Sequence, residues 1–355
     1  MENNEMTRRD ILKLGAAAGL TATAGSLIGA TNSFAQGGKQ PKFKFRIQCH
    51  WPVGVEYYKL HFEGYCNRVR EATNGEVVLT PFAPDTIVPT KDTLEACGSG
   101  LLDMHWSWPA YWQGKMPVAS LMCGHTFVWE DFSQMYWNSF MQDAMSIYRA
   151  AYKEQGVHLI GLVGVDGIAL WSKRPITKLA DFKGLKVRST GTPAETLKKA
   201  GCTPVFFPGS ELYQALQSGV VEAAHWGAIY TGYEMKFNEV TKFIIQPNLA
   251  SVSNAEIVMN KRKWDALPRD IQIVLEDTAM VYNCYYYSYC DYMSKVCTQK
   301  FIKQGGKVSH LEPDAVKKLK EFSTQVLEEY AKKDPKYCGP IVKKYNEMFD
   351  LVAKS

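Results

Sequence analysis

The sequence lacks the short motifs that mark the common classes of enzyme and metalloprotein. Its 355 residues contain no GxSxG, HExxH, Walker A or GxGxxG segment, and its seven histidines show no short metal-ligand spacing. None of the nine cysteines belongs to a CxxC pair, so no usual zinc or iron–sulfur pattern is present. A secreted enzyme is therefore kept only as an alternative. Its catalytic residues would have to come together in the fold from distant parts of the sequence.

Basic runs and long apolar runs are also missing from most of the chain. The formal net charge of +5 is spread among neighbouring acidic and basic residues, so nucleic-acid binding is not expected. No apolar run after residue 35 is long enough to span a membrane, which predicts a soluble mature protein. Most cysteines are expected to be small buried apolar residues, with one or two disulfides as the alternative.

The amino terminus has the composition of an export signal. Arg8 and Arg9 precede a weakly apolar stretch rich in Ala and Gly, and Ser33-Phe34-Ala35 forms a small-x-small cleavage pattern. The adjacent arginines resemble those of a twin-arginine signal. We therefore predict a signal peptide over residues 1–35 and a periplasmic mature protein, with a membrane anchor as the alternative.

Strands and helices alternate along the mature chain. Hydrophobic periodicity predicts strands at 42–48, 76–82, 101–106 and 158–163 and helices at 57–72, 91–97 and 132–155. The pattern restarts with strands at 167–172, 185–188, 204–207 and 222–226 and helical segments at 179–182, 193–200 and 210–218. This alternation predicts an α/β fold of two similar lobes with mainly parallel sheets.

The last third of the chain is mainly helical. Two more strands, at 240–247 and 255–260, are predicted to return the chain to the first lobe. Residues 269–304 contain neither Pro nor Gly and carry apolar residues at helical spacing, which predicts one very long helix that could span both lobes. Amphipathic helices at 314–331 and 340–352 follow.

Three segments carry a family resemblance. Residues 100–117 contain GLLDM followed by YWQGKMP, residues 179–188 are LADFKGLKVR, and residues 211–222 are ELYQALQSGVVE. In this order and spacing they resemble the solute-receptor subunit of tripartite ATP-independent periplasmic (TRAP) transporters, of the dicarboxylate-receptor type. The carboxyl-terminal extension is similar to that of the 2-oxo-acid-binding branch, in which an added helix can mediate dimers.

The resemblance implies a periplasmic solute-binding fold with two α/β lobes, strand hinges, a long helix across both lobes and a ligand cleft between them. It also implies delivery of the ligand to TRAP membrane subunits. We assign residues 36–164 and about 248–285 to lobe I, 165–247 and about 286–320 to lobe II, and 321–355 to a helical extension. This extension is a candidate surface for a homodimer.

Arg188 is the principal candidate for a ligand contact. It ends a predicted strand, where α/β proteins present side chains to a cleft. Its guanidinium matches a carboxylate with two parallel hydrogen bonds. The resemblance places the family's carboxylate-clamping arginine at this position; from the residues alone, a surface ion pair would be an equal alternative.

His225 and Trp226 end another predicted strand. The 2-oxo-acid branch has Glu-Trp here, and its Glu helps to hold a metal ion that bridges to the substrate. Because His225 replaces that acid, we predict no cofactor, although a divalent or sodium ion stays open. The imidazole could instead donate a hydrogen bond to the ligand or pack in the core, and Trp226 could stack on the ligand or fill the core.

The remaining binding candidates are mostly aromatic: His50, Trp51, Trp106, Trp108, Tyr111 and Tyr230. Ligand pockets are mainly apolar and aromatic, although some of these rings must pack the lobe core. Trp51 and Trp108 are expected to face the cleft. Asp166 lies near the predicted crossover between the lobes, where a hinge or metal role suits an acidic side chain better than contact with an anion.

These residues predict an extracytoplasmic protein that captures a small organic anion with an arginine clamp. The favoured ligand is a 2-oxo or 2-hydroxy monocarboxylate, with an aromatic acid as an option. A sulfonate- or dicarboxylate-specific receptor of the same type is one alternative, because the same arginine would bind either group. A secreted enzyme or a ligand-presenting sensor protein is the alternative from another class.

Overall fold

A computed structural model describes residues 40–141 and 143–352. The predicted signal peptide, residues 1–35, lies outside these residues, so its type and its cleavage site stay predictions. Within the described ranges, no helix combines the length and the apolar character that crossing a membrane requires.

The described strands form one mixed sheet. They are β1 (Phe43–Cys49), β2 (Val77–Phe82), β3 (Met104–Ser107), β4 (Val157–Ser172), β5 (Lys186–Arg188), β6 (Thr203–Val205), β7 (Ala223–His225), β8 (Phe243–Asn260) and β9 (Lys307–His310). Their order is β2-β1-β3-β8-β4-β7-β5-β6, and β9 pairs with β8. Pairs within each flank are parallel, whereas β8 with β3, β4 with β8, and β4 with β7 are antiparallel.

Two long strands join the lobes. β4 has 16 residues and β8 has 18, and they pair from Val157–Asn260 to Ser172–Phe243. One end of this pair carries β3, β1 and β2, and the other end carries β7, β5, β6 and β9. The two-lobed α/β fold expected from the sequence is therefore confirmed.

The sequence pattern divided each long strand in two, and this was wrong. The segments 158–163 and 167–172 are one strand, as are 240–247 and 255–260. Gly164 lies between these two predicted segments of β4 and serves close packing, because a Cβ there would lie 2.8 Å from the Phe132 ring and 2.9 Å from Asn283 Oδ1.

The helices cover the outer faces of the sheet. They are α1 (Gly64–Ala72), α2 (Thr93–Ser99), α3 (Phe132–Tyr136), α4 (Ala144–Glu154), α5 (Gly191–Lys199), α6 (Leu212–Ser218), α7 (Ile229–Glu234), α8 (Phe237–Val240), α9 (Lys261–Asp265), α10 (Arg269–Lys303), α11 (Pro313–Lys333) and α12 (Cys338–Val352). A π-helical segment, Tyr57–Glu63, leads into α1. The single helix predicted at 132–155 is divided, because Asp143 adopts a left-handed φ of 61° directly before α4.

The predicted long helix is confirmed as α10. It has 35 residues, which corresponds to about 50 Å at 1.5 Å per residue. It packs against β4 along the sheet, against α1 in the first lobe and against α7 in the second. Leu275, Tyr286 and Phe301 are buried along its length.

The carboxyl-terminal helices also contact both lobes. α11 packs on α5 of the second lobe and on α12. α12 packs on α4 of the first lobe, and the Tyr345 hydroxyl donates to the Leu121 carbonyl. Dimer formation through this extension stays a prediction.

All nine cysteines lie in the described part of the chain, and none of them forms a disulfide there. Cys284 is exposed and the others are buried, which confirms that most act as small apolar core residues.

Candidate functional site

A small cavity of about 30 Å³ lies where the two lobes meet. Its walls are formed by His50, Trp51, Trp108, Tyr111, Cys123, Gly124, Val165, Ile168, Arg188, Thr190, Pro193, His225, Trp226 and Gly227. β1, β3, β5 and β7 all deliver side chains to it from their carboxyl ends, which is the usual position of ligand sites in α/β sheets.

The structure brings most of the predicted binding residues together. The predicted residues on the cavity wall are His50, Trp51, Trp108, Tyr111, Arg188, His225 and Trp226. The first four come from the first lobe and the other three from the second. The cavity therefore depends on the approach of the two lobes.

Arg188 is almost completely enclosed, with 3% of its surface exposed. Its Nε donates to the Phe207 carbonyl at 3.1 Å, and its Nη1 donates to the His225 carbonyl at 3.2 Å. The Phe206 ring centroid lies 5.7 Å from its Cζ. Within the described ranges, no carboxylate forms an ion pair with this guanidinium. It is held by these two carbonyls, the Phe206 ring and an interaction with the Tyr111 hydroxyl, and a carboxylate could still bind to it.

Among the described residues that line the cavity, Arg188 carries the only charge. Burial lowers the pKa of Arg188 to about 10, so the guanidinium stays protonated at neutral pH. Burial also lowers the pKa of both His50 and His225 to about 3, and the nearby Arg188 charge acts in the same direction. Both imidazoles are therefore neutral, and burial raises the pKa of the Tyr111 phenol, which is also neutral.

The two histidines present polar atoms to the cavity region. Nδ1 of His50 lies 3.2 Å from the Trp106 carbonyl, a contact that requires a proton on Nδ1. Nδ1 of His225 lies 3.3 Å from the Ser189 hydroxyl, and its buried Nε2 has no hydrogen-bond partner among the described residues. Because the Ser189 hydroxyl can donate to Nδ1, the Nε2 atom of His225 can carry the proton and donate to an anion.

Aromatic rings form the apolar part of the wall. Trp51 lies between His50 and Trp226, with ring centroids 4.3 Å and 5.7 Å away, respectively. Its buried indole Nε1 has no hydrogen-bond partner within the described ranges. An indole is both a flat apolar surface and a donor, so this wall suits a ligand with a planar body and an acceptor atom.

Trp106, Asp166 and Tyr230 lie away from the cavity wall. Trp106 is fully buried between the first lobe's sheet and helices, where its ring meets those of Phe62 and Tyr65. It occupies the face of β3 that α1 and α10 cover. The concentration of aromatic residues in this segment does not show which of them face the core and which face the cleft.

Asp166 and Tyr230 both lie towards α10. Asp166 is buried near Ser294, and burial raises the pKa of its carboxyl to about 6. The Tyr230 hydroxyl donates to Glu56 Oε2 at 2.5 Å, and the Tyr289 hydroxyl donates to the same oxygen at 2.7 Å. This carboxylate thus connects the first lobe with α7 of the second lobe and with α10.

Several wall residues were not predicted from the sequence: Cys123, Gly124, Val165, Ile168, Thr190, Pro193 and Gly227. Thr190 and Gly227 follow predicted strand ends, and that position could have identified them. Cys123 and Gly124 follow the 3-10 helix Pro117–Met122, which carries no local binding pattern. They reach the wall through tertiary packing against β8, since Gly124 N donates to Ser253 Oγ at 2.6 Å.

Gly124 is a position where the wall tolerates no side chain. A Cβ there would lie 2.4 Å from the Val252 carbonyl oxygen and 2.9 Å from the Ala250 Cβ. We expect Gly124→Ala to lower the free energy of unfolding by about 1–3 kcal/mol through overpacking, as measured by urea denaturation. Gly114→Ala is the control, because a Cβ at Gly114 meets no atom within 4 Å. Equal stability of the two variants would contradict the expected crowding.

The fold matches solved structures over most of its length. A TRAP transporter solute-binding protein from Bordetella bronchiseptica, with copurified calcium and picolinate, superposes with a TM-score of 0.82 at 23% identity, over 89% of this chain and 94% of that one. One from Pseudoalteromonas atlantica, with sodium and pyruvate, gives 0.79 at 21% identity, over 88% and 95%.

The sequence comparisons agree. The monocarboxylate 2-oxoacid-binding periplasmic protein of Nostoc sp. is 25% identical over 332 residues, which cover 93% of this chain and 90% of the relative. The model of the DctP family, described as bacterial extracellular solute-binding protein, family 7, matches residues 56–334. Because this match takes in most of both lobes, the chain belongs to family 7 of the bacterial extracellular solute-binding proteins.

Proposed function

We propose that this protein is the periplasmic receptor of a TRAP transporter for a small monocarboxylate with a planar or apolar body, such as a 2-oxo, 2-hydroxy or aromatic acid. The observation that carries the proposal is Arg188. It is buried and protonated at the wall of an interlobe cavity, with no acidic partner within the described ranges. A buried charge without a partner is costly, and a bound carboxylate would supply that partner.

The preference for a single negative charge follows from the charge of the wall. Among the described lining residues, Arg188 is the only one that is positively charged at neutral pH, because His50 and His225 both have pKa values of about 3. A monoanion neutralises this wall. A dianion would bring a second negative charge into the cavity without a cation to meet it, at a cost of several kcal/mol.

The shape of the wall favours a flat or apolar body. Trp51, Trp108 and Trp226 all line the cavity and offer ring faces. In this arrangement Arg188 binds the carboxylate, and Nε2 of His225 and Nε1 of Trp51 are donors for the carboxylate or a neighbouring oxo or hydroxyl oxygen. The ligands named for the relatives above, a 2-oxo acid, picolinate and pyruvate, agree with this class.

The proposed mode of binding uses no metal ion. Calcium or sodium accompanies the ligand in both solved relatives, and such ions prefer oxygen ligands, carboxylates above all for calcium. The lining residues include neither Asp nor Glu, and no described residues form a cluster of three or more His, Cys, Asp or Glu that could hold a metal. His225, at the end of β7, offers a nitrogen instead. The residues present do not fit such an ion.

Binding is coupled to closure of the predicted lobes. A ligand that contacts Arg188 and His225 in one lobe and Trp51 in the other stabilises the closed form through its differential affinity for that form. The closed protein, exported by its twin-arginine signal, then presents the ligand to the membrane subunits. Bending of β4 and β8, which join the lobes, would accompany this motion.

A thermal-shift screen with matched acids tests the proposal. The pairs are pyruvate with oxaloacetate, benzoate with phthalate, and acetate with malonate, in which each second acid adds one carboxylate. A monoacid at about 100 times its dissociation constant should add about 2.7 kcal/mol of stability, whereas its diacid should add far less. Calorimetry then measures the affinity with and without a chelator, and we expect no difference.

Other results would identify the alternatives. Equal or larger shifts with the diacids would contradict the single-charge argument. A shift with methanesulfonate but with no carboxylate would support the sulfonate receptor. A shift that disappears with the chelator would show that an ion takes part after all.

A further inference from the structure

Phe206 is a large apolar side chain at the surface beside the cavity. It directly follows β6, and 51% of its surface is exposed. Its ring lies over Arg188, with the guanidinium Cζ 5.7 Å from the ring centroid, whereas Arg188 itself is 3% exposed. The phenyl ring therefore covers the buried cation from the solvent side.

Tyr111 meets Phe206 from the other lobe. It belongs to the 3-10 helix Pro109–Trp112, and the two ring centroids are 5.5 Å apart with planes inclined by 69°. This edge-to-face contact joins the first lobe to the second above Arg188. Any motion that separates the lobes at the cavity mouth must break it.

The same two rings border open grooves on both sides. One groove is lined by Tyr111 and Phe206 together with Gln113 and Lys198, and the other by the same two rings with Asp85 and Glu211. Tyr111 also lines the cavity itself. The pair therefore lies between the enclosed space and the two open grooves, beside Thr190 at one groove and His50 at the other.

We propose that Tyr111 and Phe206 form a gate through which the anion enters and leaves the cavity, and that the Phe206 ring sets the rate of release. The nature of the ligand in this proposal rests on the proposed function; the gate rests on the position of the rings. A single edge-to-face pair is weak enough to open at ambient temperature. The attraction between the guanidinium and the ring returns Phe206 to the closed position.

Removal of the ring should speed entry and exit alike. For Phe206→Ala we expect the dissociation rate constant of picolinate to rise by about tenfold and the association rate constant to rise with it, so that the dissociation constant changes less than either rate. Stopped-flow tryptophan fluorescence measures both rates. Phe206→Tyr should keep the wild-type rates because it keeps the ring. Tyr292→Ala is the matched control: it removes an aromatic ring that is 64% exposed on α10.

A second measurement tests the gate without any ligand. Cys123 lines the cavity and is 2% exposed, so its modification by methyl methanethiosulfonate reports access through the gate. Peptide mass spectrometry resolves it from the exposed Cys284, and the fully buried Cys97 reports unfolding. We expect Phe206→Ala to increase the labelling rate of Cys123 by about fivefold or more, with Cys97 unlabelled, as for an opening that is local and not global.

The outcomes separate the two proposals. Unchanged labelling of Cys123 in Phe206→Ala overturns the gate whatever the ligand is. Unchanged release of a carboxylate that the wild type binds overturns it as well. If the wild type binds none of the acids and labelling of Cys123 still accelerates, the gate stands and the proposed function fails.

Discussion

Arg188→Met is expected to abolish anion binding without lowering the stability of the ligand-free protein. The substitution removes the one positively charged residue among the described lining residues, and we expect the affinity for a monocarboxylate to fall by at least about 100-fold, since loss of a buried charge partner costs about 3–5 kcal/mol. In the ligand-free protein it replaces a buried guanidinium that has no carboxylate partner within the described ranges. Two carbonyls, of Phe207 and His225, lose their donor, and relief of the desolvation of the charge offsets that loss. Calorimetric titration and urea denaturation measure the two quantities.

Arg149→Met is the matched control. Arg149 also donates to two backbone carbonyls, of Leu159 and Ile160, both at 3.0 Å, but it has the acidic partner Glu276 at 2.8 Å. We expect this variant to lose stability and keep its affinity, which is the reverse of the result at Arg188. Arg188→Lys should fall between wild type and Arg188→Met, because the charge stays and the paired geometry is lost. If Arg188→Met unfolds at much lower urea than wild type, the role of Arg188 is structural.

Acidification is expected to destabilise the ligand-free protein steeply. Burial lowers the pKa of five imidazoles: His50, His61 and His225 to about 3, His125 to about 4, and His158 in the same direction. In the unfolded chain these groups take up protons near pH 6.5. The unfolded state therefore binds more protons than the folded state below that pH, and stability falls as the pH falls towards 4. Each of the four imidazoles with a pKa of about 3 or 4 contributes a loss of about 2 kcal/mol at pH 5.

Buried acids act in the opposite direction and reduce the net loss. Burial raises the pKa of Asp166 to about 6 and that of Glu234 to about 7. Both carboxyls bind protons more tightly in the folded state, so they add stability as the pH falls through these values. With five imidazoles against two carboxyls, we expect a net loss of several kcal/mol between pH 7 and pH 5, measured by urea denaturation at fixed temperature.

His61→Phe tests whether protonation of buried histidines, and not acidification in general, causes the loss of stability. Neither ring nitrogen of His61 has a hydrogen-bond partner among the described residues, and the ring packs against Tyr286 with centroids 4.0 Å apart. A phenyl ring there keeps the packing and removes one titrating group. The slope of the unfolding free energy against pH gives the number of protons taken up on unfolding. Between pH 6 and pH 5 this number should be smaller by about one in the variant than in the wild type. A flat profile in the wild type would contradict the neutral, buried state of these histidines.

Local sequence patterns predicted many of the helices and strands of the fold. The absence of Pro and Gly predicted α10 within one residue at its carboxyl end, and the motif around Arg188 placed that side chain at the end of β5. Where the pattern failed, tertiary packing decided. The pattern left residues 164–166 outside any strand, but they lie inside β4, where Phe132 and Asn283 approach the backbone of Gly164.

The cavity wall also combines residues that the local sequence predicts with residues that only tertiary packing brings there. Residues that follow strand ends, such as His50, Trp108 and Trp226, could be predicted, because strand ends share one edge of a sheet. Cys123 and Gly124 could not, because a contact with β8 more than a hundred residues away brings them to the wall. The neutral state of His225 could not be predicted either. It depends on burial of the imidazole and on the nearby Arg188 charge, and the local sequence shows neither of these.

The two long strands restrict how proteins of this architecture can change. β4 and β8 each contribute one half to either lobe, so neither lobe is encoded by a continuous stretch of the gene. Exchange of one lobe between relatives would therefore need matched crossovers in the middle of both strands, with the β4–β8 register kept. A new ligand preference arises more simply by point substitution on the cavity wall. The scaffold can then persist almost unchanged while its chemistry diverges one side chain at a time.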